Sequence, residues 1–270
     1  MALELKYVTS LVELAQRRKA PQSADLQRGL HLARLFEADP SVPLAFRSLA
    51  WHVITDSHTA AGWPMPTGER FPSCCGAAAS VAHGCSMLVQ DIAEQAATVD
   101  GPVILLGALA ASRSIFGSWN ILPTSGAFLV PLDTESGPHP PANVYHSSVG
   151  VKWGSAGDLH DVFIEHSTTE ELAGIEILIP APELIAARTA GCGTQPDNLA
   201  CLIFIGAAHT AVTSGSWKSA KKIAPRLGSQ NAPLETVMQM GIDRWLGLSI
   251  SAPRRAALAI RRFLRPGRAA

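Results

Sequence analysis

Residues 79–110, ASVAHGCSMLVQDIAEQAATVDGPVILLGALA, carry the reading from which the rest of the chain follows. Met87, Leu88, Ile92, Ala93 and Ala96 recur at three- and four-residue intervals, which predicts an amphipathic helix. Val103 to Leu106 is a continuous apolar run between Asp100-Gly101-Pro102 and Gly107, the pattern of a strand buried on both faces. Ahead of the helix, Gly84-Cys85 reads as a tight turn, so Cys85 stands where a chain enters a helix N-terminus. Unpaired N–H groups and the helix dipole favour a thiolate there. Free cysteine is also among the most buried residue types, so a packing role for Cys85 stays open on position alone.

The order A-x-x-C-S, helix, then G-P-V-I-L-L-G-A resembles the nucleophile segment of thiolase-fold condensing enzymes, most closely the ketoacyl-ACP synthase III branch. The resemblance extends diffusely over about residues 5–260. It implies an α/β, thiolase-like fold of two pseudo-repeated αβαβα halves packed in layers. The N-terminal half, 1–150, would hold the nucleophile, and the C-terminal half, 151–270, a catalytic histidine.

Taken in order, residues 5–20 and 23–37 read as helices separated by Pro21, the second with Ser23 as N-cap and Leu26, Leu30, Leu32 and Leu35 as its apolar face. Val42 to Val53 is apolar with a strand-like end, AWHVIT, before a Gly/Pro/Ser/Thr-rich loop at 56–76. Residues 125–132 read as a Gly-led strand, and VYHSSVGVKWG as part of a hairpin. Val162–Ile164 and Ile175–Ile179 read as strands, and Pro182–Arg188 as a helix. Residues 197–206 read as a buried strand ending at Gly206, followed by His209 and a helix from about Ser214 through Arg226. In the family a strand of this kind ends in a histidine before a helix and the turn R/K-L-G, where this chain has His209 and Arg226-Leu227-Gly228.

Two departures stand out. The chain lacks most of the family's opening strand and long loop. Where the family carries a catalytic asparagine, this chain has Leu246-Gly247-Leu248-Ser249, leaving Ser249 and Gly247 as the candidate auxiliary positions.

The chemistry implied by the resemblance is acyl transfer from acyl-CoA or an acyl carrier protein through a Cys85 thioester, with His209 as base or hydrogen-bond donor. Helix-terminal N–H groups would hold the oxyanion, an effect worth roughly 3–4 kcal/mol per donor. Without the asparagine, carbon–carbon condensation is expected to be weaker than simple acyl transfer. No tightly bound cofactor is expected, and a homodimer or a heterodimer with another condensing enzyme is. Two alternatives remain: a non-catalytic partner subunit, and a Cys-dependent thioester hydrolase.

Composition narrows the field. The 270 residues are 47% hydrophobic and 16% charged with zero formal net charge, which argues for a large core and against a general nucleic-acid binder. No apolar run reaches the roughly 18–20 residues that span a bilayer, and the first twenty residues have the wrong charge order for a secretory signal. A cytoplasmic protein is expected. Five cysteines without a C-x-x-C pair suggest neither a disulfide framework nor a zinc site. Asp56-x-His58, His83 beside Cys85, and His160-Asp161 with His166 offer short but unspecific metal spacings. Cys74-Cys75 is a second nucleophile candidate, ranked lower because no long helix and strand follow it directly. Nucleotide-binding glycine motifs and the G-x-S-x-G elbow are absent. Residues 251–270 hold six arginines and no acid, the pattern of a basic amphipathic helix, either docked with a solvated basic face or meeting a membrane or acidic carrier.

Overall fold

The computed structural model describes residues 5–40, 42–73, 89–99, 101–121, 126–131, 144–147, 159–189 and 199–227. Cys74, Cys75, His83, Cys85, Gly247, Ser249 and the arginine-rich segment lie outside them.

Three helices come first: α1 (Leu5–Arg17), α2 (Ser23–Glu37) and α3 (Leu44–Ala60). Val8, Leu11, Val12 and Ala15 make the buried stripe of α1 at helical spacing. The N-cap of α2 is Gln22, one residue before the expected Ser23. Its backbone N–H donates to the Asp25 carboxylate at 3.1 Å, which satisfies a donor the first turn leaves over. Gly29 of α2 brings the two backbones close: a Cβ there would lie 3.2 Å from Val53 Cγ1.

The strand-like end at 50–55 is part of α3, a correction to the sequence reading. Trp51, Val53, Ile54 and Thr55 favour strands as residue types. Their positions decide otherwise, because Phe46, Leu49, Ala50, Val53, Ile54 and Ser57 are all buried at three- and four-residue spacing. The loop expected from 56 accordingly begins only after Ala60.

Helix α4 (89–96) follows, as expected, and then the short strand β1 (Ile104–Leu106). Next come α5 (Gly107–Phe116), β2 (Gly126–Pro131) and β3 (Val144–Ser147). The second part contains α6 (Leu159–Glu165), β4 (Ser167–Leu172), β5 (Ile175–Pro180), α7 (Pro182–Thr189), α8 (Leu199–Thr213) and α9 (Trp217–Arg226).

The strands form one mixed sheet in the order β3-β2-β1-β5-β4. At its centre β1 runs antiparallel to β2, pairing Leu105 with Phe128, and parallel to β5, pairing Ile104 with Leu178. Side chains of β1 alternate between faces. Leu105 packs with Ile92, Ala93 and Ala96 of α4 and with Ile177 and Ile179 of β5. Ile104 and Leu106 join the larger core, built with α1, α3, α5, α7, α8 and α9. β4 and β5 form a hairpin over Ala173-Gly174, where φ is +49° and +86°. Two successive positive φ values are what a two-residue type I′ turn requires. The expected boundary at 150 falls between β3 and α6, and elements from both sides share this sheet and the larger core.

Two further strand expectations are corrected. Val162, Phe163 and Ile164 lie in α6, and the strand begins only at Ser167. Residues 199–213 form helix α8 rather than a strand over 197–206. The run Leu202-Ile-Phe-Ile suits either element, but residues 202–208 and 211 are all buried, and apolar character continues past the length of an ordinary strand. Thr210 and Thr213 confirm the helical turn locally, their hydroxyls donating to the carbonyls of Gly206 and His209 four residues back. Gly206 is where α8 meets α5. A Cβ there would lie 3.0 Å from Ile115 Cγ2 and 3.2 Å from Phe116 Cζ. The helix after it starts at Trp217 rather than Ser214, the chain turning through Gly215 at φ +75°.

Among the described residues, no helix is long and apolar enough to cross a membrane.

Candidate functional site

The site expected from sequence has one half outside the described residues, Cys85 with Ser249 and Gly247. What surrounds the nucleophile segment is visible. Val89, four residues after Cys85, opens the described part of α4 and lines an open groove of about 390 Å³. Val89, Ala93, Ala97 and Ile175 supply its apolar wall, and Gln90 and Glu94 its polar edge. Downstream, β1 ends at Leu106 and the chain turns at Gly107, φ +76°, into α5. The carboxyl ends of the parallel strands β1 and β5 thus lie side by side, each followed by a helix.

His209 is inside α8, not at the end of a strand. Its Nε2 faces Glu13 Oε1 of α1 at 3.7 Å, and its buried Nδ1 has no hydrogen-bond partner. Beside it, Gln16 Nε2 donates to Thr210 Oγ1. The histidine therefore belongs to a polar seam between α1 and α8. A carboxylate facing one ring nitrogen can fix the orientation of the imidazole.

Sequence reasoning missed a second polar cluster. Arg18 is 2% exposed, its Nη1 donating to Ala15 O at 2.6 Å and Phe116 O at 2.8 Å, its Nε to Asp56 Oδ2 at 2.8 Å. Arg18 Nη2 just past α1, His52 Nε2 on α3 and Asn120 Oδ1 after α5 are buried, each without a hydrogen-bond partner, and His52 feels the charges of both Arg18 and Asp56. The short-spaced pair Asp56 and His58 diverges. Asp56 takes the Arg18 guanidinium, while His58 Nδ1 meets Pro64 O at 3.0 Å with its ring edge-on to Trp63. His166 lies 3.6 Å from Glu165 Oε1. Among the described residues, no group of three or more His, Cys, Asp or Glu converges as metal ligands would.

His52 gives a pH prediction. Burial pulls its pKa down to about 4, outweighing the attraction of Asp56. An unfolded chain binds that proton near pH 6.5. Between the two values the unfolded state binds more protons than the folded one, so stability falls as pH drops from about 6.5 to about 4. The loss expected from this group is about 3 kcal/mol. Urea midpoints taken across that window should decline in the parent chain and decline distinctly less in His52→Gln. Equal slopes would remove His52 as the cause.

Comparison with family models, curated proteins and solved structures finds no match.

Proposed function

We propose that the chain takes an acyl group from a coenzyme A or carrier-protein thioester onto Cys85. The groove along α4 carries this reading: its apolar wall begins four residues after Cys85 and suits an acyl chain. In the proposed step the Cys85 thiolate attacks the thioester carbonyl, the carrier thiolate leaves, and the acyl group stays on Sγ. The Gly107 turn and the first N–H groups of α5 offer an anion-favouring edge for a carrier's phosphates. His209, paired with Glu13, is assigned to orienting α1 against α8, or to the second half-reaction only if α8 shifts. Its placement, with no asparagine in 246–249, favours transfer to oxygen, nitrogen, sulfur or water over decarboxylative condensation.

The position of His209 favours a second reading, in which the chain is a non-catalytic partner of a complete condensing enzyme. Intact-protein mass spectrometry after incubation with a panel of acyl-CoAs separates the two. The thioester reading expects one acyl group on the parent chain and none on a folded Cys85→Ala variant. No adduct from any donor, or an equal adduct on the variant, sinks it and leaves the partner reading.

A further inference from the structure

The groove along α4 is built from two neighbouring stripes. Val89, Ala93 and Ala97 follow one another at four-residue spacing, and with Ala173 and Ile175 of the β4–β5 hairpin they make a small, apolar wall. Gln90 and Glu94, also four residues apart, run beside them. Gln90 Nε2 donates to Glu94 Oε1 at 3.2 Å, which fixes the carboxylate at the groove's edge and leaves its second oxygen to a ligand. Glu94 is the only charged side chain among the lining residues. The elements that wall the groove reinforce its sign: residues 89–99 and 167–180 hold Asp91, Glu94, Glu170, Glu171 and Glu176 and no lysine or arginine. Of these acids, Glu170 is neutralised by Arg113 of α5.

We propose that this groove binds a linear aliphatic ammonium, its chain against Ala93, Ala97 and Ile175 and its cationic head at Glu94. The volume of about 390 Å³ lies in the range of small-molecule sites, and an apolar lining with one placed charge is their usual composition. An ammonium head gains the attraction of the Glu94 carboxylate, while a carboxylate head on the same chain is repelled by it. Asp91, Glu171 and Glu176 add to both effects at longer range, until salt screens them. Binding of this kind needs no thiol, so it goes beyond acylation at Cys85 and is separable from it.

The test is a 1H–15N shift titration of the full chain with octylammonium and, separately, with octanoate, both kept monomeric. Octylammonium should move the amides of Val89, Ala93, Ala97, Ala173 and Ile175 to saturation and bind about tenfold more tightly than octanoate. Glu94→Gln keeps the side chain's size and should remove most of that preference. Ala97→Phe should weaken both ligands by filling the groove, whereas Asp91→Asn, off the lining, should keep the preference. All three positions are exposed, so folding is preserved. Cys85→Ala should bind octylammonium as the parent chain does, which separates this site from the thioester chemistry. The proposal is overturned if neither ligand moves these amides saturably, if the parent binds the two equally, or if Glu94→Gln keeps the preference.

Discussion

Arg18→Met is expected to lower the unfolding free energy by about 2–5 kcal/mol, chiefly through the two buried carbonyls it leaves without a donor. The guanidinium joins three helices at once. It satisfies Ala15 O near the end of α1 and Phe116 O at the end of α5, and it pairs with Asp56 on α3. Methionine keeps most of the buried stem but leaves both carbonyls without that donor, at about 1–3 kcal/mol for each one that stays dry. Asp56 contributes less, because its side chain is 35% exposed and can recover water. Arg17→Met is the internal control. Arg17 also pairs with an aspartate, but its side chain is 48% exposed, and Asp25, 8% exposed, keeps the Gln22 N–H when the arginine goes, so the cost should be about 1 kcal/mol. Urea denaturation of both variants reads the difference directly. If the two cost the same, the Arg18 network does not hold the three helices together.

The second large effect is expected at Phe204. It is 1% exposed within α8, in the core shared with α1, α3, α5 and α7. Phe204→Ala should cost about 3–5 kcal/mol, from lost transfer free energy and the cavity left behind. Phe204→Leu should cost distinctly less, since most of the volume remains. Collapse of the site would be hindered by the tight seam at Gly206, where α8 already touches Ile115 and Phe116. A Phe204→Ala midpoint within error of the parent would place this ring outside the core.

What was readable in the sequence was what local pattern determines. Helical spacing gave α1, α2 and α7, and the bounded apolar runs gave β1 and β5. The errors came where residue type and position disagree. In α3 a short run of β-branched and aromatic residues suggests a strand, while burial at three- and four-residue spacing over the whole segment makes a helix. In α6 the same residue types, Val162-Phe-Ile, sit in a helix of seven residues, too short to show a period. In α8 apolar residues surround the helix, so no periodicity existed to read. β4 was invisible for the opposite reason: Ser167-Thr-Thr-Glu-Glu-Leu is mostly exposed, and only pairing with β5 makes it a strand.

Long-range contacts were not legible at all. Arg18 reaches Phe116 98 positions away, and no spacing rule connects Glu13 with His209. The resemblance to condensing enzymes places His209 at the end of a strand; the structure has it inside a helix, facing Glu13.

The direct measurement is the set of backbone 13Cα chemical shifts over residues 202–211 in the folded chain. Shifts displaced in the helical direction are expected throughout, with Gln16→Ala perturbing Thr210 and its neighbours across the α1–α8 seam. Strand-direction shifts up to Gly206 would contradict it, remove α8 from the core, and return His209 to the end of a strand.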